Sequence, residues 1–173
     1  MLTLLAASLF LQTKSYIKPY NPSGPKIEVR MEKGGSFVIT TDPKTSPKTV
    51  RHILDLVRHK FYDRLRVHRV EYWVTQWGDP LSRTAAMTHP KMGDGDSGHR
   101  LPFEMSDIDF MRGVVGVASD GLQNGGDSQL FVLKGDRQYL YHSYAVVGKV
   151  TRGMDVVDGI KKGDRIKQMR VLP

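Results

Sequence analysis

The apolar positions of this chain change period several times. From Ile27 to Met31 and again from Ser36 to Thr41 the sequence is rich in β-formers. In the second run Phe37 and Ile39 alternate with Ser36, Val38 and Thr40, the period of a half-buried strand. Glu32-Lys33-Gly34-Gly35 separates the two runs, so the pair reads as a hairpin with a short glycine loop. The period then lengthens. Val50, Ile53, Leu54, Val57 and Phe61 recur at helical spacing and define one apolar face. Ser46 is placed to cap this helix, and Pro47 occupies its first position, where a missing N–H does no harm. The opposite face carries Arg51, His52, Asp55, Arg58 and His59. Those two histidines read as solvated, because the further ligands a metal would need are missing.

Strand-like runs return after the helix. Phe61 to Asp79 alternates and is rich in Val, Tyr and Trp. Further strands are expected at Gly113–Ala118, Gln129–Leu133 and Ala145–Val150, and a closing strand at Ile166–Leu172. A second short helix is expected at Met154–Lys161, with Val156, Val157 and Ile160 facing inward. Leu81 to His99 is polar and glycine-rich and reads as a surface loop. Two helices among about eight short strands predict a mostly β protein, a closed barrel with helices covering its ends. No internal repeat is visible.

Composition narrows the picture. A chain of 173 residues suits one domain with a real core. It has no cysteine, which excludes disulfides, thiol catalysis and thiolate metal sites. No apolar run reaches the length of an ordinary membrane span. The net charge is +8. Its basic residues are scattered, with loose clusters at Arg58–Lys60 and Lys161–Arg170 and no interleaved stacking aromatics, so nucleic acid is not expected as a partner. Leu2 to Leu11 has the length of a signal-peptide apolar region, but no Lys or Arg precedes it. Export, periplasmic or extracytoplasmic, is the expectation from residues 1–12, with a cytoplasmic location as the alternative. Thr13 to Pro25 is rich in Pro, Asn, Ser and Gly and reads as a linker. The expected organisation is an N-terminal segment and linker at 1–25 and a folded domain at 26–173.

The chemistry concentrates in two segments. FYDRLRVHRVEYWVTQWGD, residues 61–79 and closed by Pro80, places Arg69 seven residues before Gln76. GVVGVASDGLQNGGDSQLFV, residues 113–132, supplies a second glutamine and a phenylalanine. Together they resemble the cyclophilin family of peptidyl-prolyl isomerases. Three more pieces follow the family in order: TSPKTVRHILDLVRHKFYDRLRVHRV, LPFEMSDIDFMRGVVGVAS and YAVVGKVTRGMDVVDGIKKGD. The resemblance covers Lys26 to Pro173 and implies a closed eight-stranded antiparallel barrel capped by two helices. It implies an enzyme that turns X-Pro peptide bonds in unfolded or flexible polypeptides to assist folding. No cofactor or metal is implied, and a monomer is expected.

Position by position, the resemblance puts Arg69 on the catalytic arginine and Gln76 on the glutamine that binds the substrate backbone. Ala118 and Ser119 fall where backbone groups meet the peptide. Gln129 falls on the second glutamine, Phe131 on the floor of the proline pocket, Leu140 on the pocket leucine, and Tyr144 where members carry His or Tyr. Six residues separate Arg69 from Gln76 where the family has seven. Counting back from Gln76 puts Trp73 and Val74 in the slots of a pocket Phe and Met; counting forward from Arg69 gives a different answer. Trp77 is expected to pack on the barrel, and His68 to be a hydrogen-bonded structural residue. The alternative function is a catalytically weak module on the same fold that binds Pro-containing segments or acts as a chaperone.

Two further motifs carry less. GDSGH at Gly95–His99 resembles a serine-protease nucleophile loop, but the chain is too short for the two barrels that reading needs. Asp94 to Gly98 resembles the start of a calcium loop, yet Met105 stands where the bidentate Glu would be.

Overall fold

The structure is a computed structural model and describes residues 19–173; the apolar block at 1–12, on which the expectation of export rests, lies outside the described residues. Eight strands and two helices follow in chain order. They are β1 (Lys26–Met31), β2 (Ser36–Thr41), α1 (Pro47–Arg58), β3 (Arg69–Val70), β4 (Val74–Trp77), β5 (Val114–Val117), β6 (Leu130–Leu133), β7 (Val146–Arg152), α2 (Met154–Asp158) and β8 (Ile166–Val171). They form one antiparallel sheet in the order β3-β4-β6-β5-β7-β2-β1-β8.

The expected closed barrel is corrected to a curled half-barrel. Its edge strands β3 and β8 share no ladder; one isolated bridge, Arg66 to Arg165, joins the segments that precede them. The physical reason is local. Strand β3 is two residues long, and Arg64 sits at a φ of 67°, off the extended backbone a ladder requires. Irregular hydrogen bonds stitch the seam instead. Ile166 N–H donates to Leu65 O at 2.8 Å, and Val67 N–H to Asp164 O at 2.9 Å.

Helix α1 forms as its period predicts, and Val50, Ile53, Leu54 and Val57 bury against the sheet. Its cap is not the expected one. Ser46 makes no capping bond, and its hydroxyl is buried without a protein partner. The Glu104 carboxylate, arriving from a distant loop, accepts from Lys48 N–H at 3.1 Å and Thr49 N–H at 2.8 Å. A full negative charge suits the positive end of the helix better than a hydroxyl does. His52 also departs from expectation. It is not solvated: Nε2 lies 2.6 Å from the buried Asp127 carboxylate.

Two apolar clusters lie on opposite faces of the same strands. Leu130 and Val132 of β6, with Val115 and Val117 of β5, join the main core that α1 covers. The alternate residues Phe131, Leu133 and Val114 join Val74, Phe110, Leu140 and Val146 in a smaller cluster. Successive side chains of a strand point to opposite faces, so one run of four apolar residues serves both. Trp77 belongs to the main core and packs edge-on to Phe37, ring centroids 5.9 Å apart. The smaller cluster floors the candidate site.

Candidate active site

Strands β3 and β4 form a hairpin in which Arg69 faces Gln76 and Val70 faces Thr75. Glu71 N–H donates to Val74 O at 2.8 Å, leaving Tyr72 and Trp73 at the tip. The Arg–Gln pair is therefore in register across the strands, with a tight two-residue tip between them. Arg69 and Gln76 keep their pairing while Trp73 and Val74 come to the cavity.

Arg69 is fixed on two sides. Its Nε donates to Glu71 Oε1 at 2.7 Å and its Nη1 to Gln76 Oε1 at 3.2 Å. The hydrogen bond from Arg69 holds the Glu71 carboxyl below its ordinary pKa. The chain of amides continues inward. Gln76 Nε2 donates to Gln129 Oε1 at 2.8 Å, and Gln129 Nε2 donates to the carbonyls of Gly93 and Gly95 at 2.6 and 2.8 Å. An amide that both accepts and donates can join a cation to a neighbouring amide in this fashion. The chain ends on the long loop, which is thereby tied to the site.

Beside this polar line lies a cavity of about 130 Å³. Arg69, Trp73, Val74, Gln76, Ala118, Ser119, Phe131, Leu140 and Tyr144 line it. The remaining predicted residue, Gln129, lines an adjoining polar recess that shares Gln76, Ala118 and Ser119 with the cavity. Phe131 is held by aromatic neighbours: Phe110 stacks on it at 6.3 Å between centroids, and Tyr144 meets it edge-on at 5.4 Å. Gly116 lies against its ring, where a Cβ would come within 2.5 Å of the Phe131 Cζ. The Ala118 N–H is already committed to Gln129 O at 2.8 Å. The Ser119 hydroxyl donates to Gly121 O at 2.8 Å.

His68 is buried, but it is not the hydrogen-bonded residue expected. Neither ring nitrogen has a protein partner within hydrogen-bonding geometry. Burial pushes its pKa down, against the opposing charge of Asp79. The Gln129 amide and the Asp79 carboxylate lie near the ring, but neither completes a hydrogen bond to it.

The GDSGH loop does meet a His and an Asp in space. Ser97 Oγ donates to Asp127 Oδ1 at 2.5 Å, His52 Nε2 lies 2.6 Å from the same oxygen, and His99 N–H donates to Oδ2 at 2.9 Å. The order is wrong for nucleophilic catalysis. The carboxylate sits between Ser97 and His52, so the hydroxyl is bonded to Asp127 and not to the His52 imidazole that a triad would place there. The cluster anchors a loop. Burial alone would raise the Asp127 pKa, but hydrogen bonds from Ser97, His52 and the His99 backbone hold it below the ordinary value.

Sequence reasoning missed three contributors. Glu71 had a signal, since residues two apart on a strand share a face. Phe110 and Arg137 had none, because only the fold brings them to β4 and β6. The Arg137 guanidinium lies over both hairpin rings, 5.1 Å from Tyr72 and 5.2 Å from Trp73.

The comparisons with known proteins bear on the family and the fold. The family model described as cyclophilin type peptidyl-prolyl cis-trans isomerase/CLD matches residues 26–173. The chain belongs to the cyclophilin family. A probable peptidyl-prolyl cis-trans isomerase of Brucella abortus is 36% identical over 170 residues, covering 92% of this cyclophilin and 84% of the relative. Peptidyl-prolyl cis-trans isomerase B of Bacillus subtilis is 29% identical over 144 residues, covering 82% and 94%. In fold, this cyclophilin is similar to the crystal structure of a Cryptosporidium parvum cyclophilin-type isomerase. That likeness has a TM-score of 0.73 at 19% identity and covers 87% of this chain and 99% of the other. Among the described residues no helix is long and apolar enough to cross a membrane.

Proposed function

We propose that this peptidyl-prolyl cis-trans isomerase turns X-Pro bonds in unfolded or flexible polypeptides, with Arg69 as its catalytic residue. The barrier it faces is about 18–20 kcal/mol, set by the partial double bond of the peptide C–N. At the twisted geometry that resonance is lost, and the proline nitrogen carries a usable lone pair. A donor aimed there stabilises the transition state more than either ground state. Arginine is suited to this because its guanidinium is planar, always charged and carries several donors. The Nε and Nη1 of Arg69 are bound by Glu71 and Gln76, which orient the group and leave Nη2 for substrate. Such a preorganised donor is worth about 3–4 kcal/mol. No proton is transferred and no covalent intermediate forms.

The remaining roles follow from position. Phe131, Leu140, Val74 and Trp73 hold the proline ring, with Tyr144 against the Phe131 edge. Gln76 and the backbone around Ala118 and Ser119 hold the peptide on either side, and Gln129 fixes Gln76. The observation that carries the reading is the in-register Arg69–Gln76 pair on a cavity that Trp73, Val74, Phe131 and Leu140 also line. Residues 26–173 are read as the catalytic domain and 1–25 as an N-terminal segment and linker. The protein acts as a monomer, with Pro-containing polypeptides and not nucleic acid as partners.

One observation favours a second reading, a binding module with weak catalysis. The Glu71 carboxylate is 2.7 Å from Arg69 and competes with substrate for the guanidinium. Exchange NMR on an Xaa-Pro peptide separates the two. Accelerated cis/trans exchange at catalytic protein concentration supports the isomerase. Peptide signals that shift without faster exchange support the module.

A further inference from the structure

We infer that Arg137 is a positioning residue of this active site, acting through Trp73 on the wall of the cavity and on Arg69. The inference rests on the reading of Arg69 as the catalytic residue.

Four side chains alternate ring and cation. The Arg137 guanidinium lies 5.1 Å from the centroid of Tyr72 and 5.2 Å from that of Trp73. Arg69 lies 5.3 Å from the same Trp73 ring. A guanidinium within about 6 Å of an indole face is attracted by the ring quadrupole, and Trp is the strongest partner. Trp73 thus lies between a cation read as catalytic and a second cation with no role in the chemistry.

Arg137 is not an ordinary surface charge. It is half-buried, and among the described residues it forms no ion pair. Its own frame is rigid. The backbone N–H donates to Phe110 O at 2.7 Å, and Nη1 donates to the Asp136 carbonyl at 2.6 Å. It immediately precedes the short turn Gln138–Leu140, which carries Leu140 into the cavity. One residue therefore joins two walls: the Leu140 turn on its own segment, and the Tyr72–Trp73 tip across from it.

Trp73 needs such a hold. It stands at the tip of a hairpin and is only partly buried, packed on one side against the smaller apolar cluster and otherwise held by polar groups of the tip. A ring free to turn would leave the cavity wall and release the face against which Arg69 rests. Stacking under Arg137 removes that freedom before substrate arrives. Glu71, bonded to Arg69, offsets the repulsion of two cations on one ring.

The test uses the full chain and catalysed exchange of an Xaa-Pro peptide. Arg137→Ala is expected to lower kcat about threefold to fivefold, with a smaller change in KM, the scale of an exposed cation–π contact. In a Trp73→Ala background the same change is expected to add nothing. Arg137→Lys keeps the charge but not the flat stack, and is expected to restore only part of the loss. The Trp73 indole N–H signal shifts in Arg137→Ala while that of the core residue Trp77 stays, which also reports an intact fold. The inference is overturned by any of three results: kcat in Arg137→Ala within about twofold of the parent, a loss that persists unchanged without Trp73, or full rescue by lysine. Arg69→Ala measured alongside keeps the two ideas separate. Full activity there overturns the reading of Arg69. Loss there with an unaffected Arg137→Ala overturns the role of Arg137 alone.

Discussion

Gly116→Ala tests how the cavity floor is built. The backbone at Gly116 is not among the left-handed glycines, so alanine meets no conformational penalty and the effect is steric. The new methyl would lie 2.5 Å from Phe131 Cζ and 2.8 Å from Cε1, where ordinary contact is about 3.5–4.0 Å. The ring must move about 1 Å. Phe110 and Tyr144 confine it at 6.3 and 5.4 Å, so the open direction is the cavity itself. Overpacking of this kind costs about 1–3 kcal/mol. For a domain of this size each kcal/mol lowers Tm by about 2–4 °C, so a fall of about 2–12 °C is expected. The displaced ring also takes space from a cavity of about 130 Å³, and KM for an Xaa-Pro peptide should rise about tenfold with a smaller fall in kcat. Thermal melting and exchange NMR read the two effects. A variant with the parent Tm and the parent KM would refute the argument that Gly116 exists to seat Phe131.

Two other outcomes are expected. Glu104→Ala removes the carboxylate that holds the first turn of α1 and should cost about 1 kcal/mol in denaturant unfolding, whereas Ser46→Ala, which removes no cap, should cost less. His68 has its folded pKa lowered from 6.5 by burial, so the unfolded chain binds more protons as pH falls below that value. Its contribution to stability is then full above pH 6.5 and declines as the pH drops toward the folded pKa. His68→Gln should flatten that part of the stability–pH curve, and an unchanged slope would show that the ring charges freely in the native state.

Features set by short-range periodicity were legible in the chain. The β1–β2 hairpin, α1 and the late strands follow from alternation, helical spacing and glycine turns, and the structure places them within a few residues of expectation. Features set by distant pairings were not. The half-barrel is open because the seam between residues 64–67 and 163–166 uses irregular bonds at a residue of positive φ, and no period announces that. Glu104 reaches the α1 terminus from 55 residues away, and Asp127 reaches His52 across 75. The site shows the same division. Arg69, Gln76 and Phe131 stand out by residue type and order. That Trp73 and Val74 both line the cavity was not legible from spacing, because it follows from the Arg69–Gln76 register and the Glu71–Val74 turn between them. Runs such as Leu130–Leu133 hide their two faces, because both are buried.

The most direct test of the account is Arg69→Ala in catalysed Xaa-Pro exchange, with the fold checked by the Trp77 indole signal. The account predicts that the parent accelerates exchange and that the variant loses about 10²-fold or more of that acceleration while still folding. A folded variant that catalyses as well as the parent would contradict it.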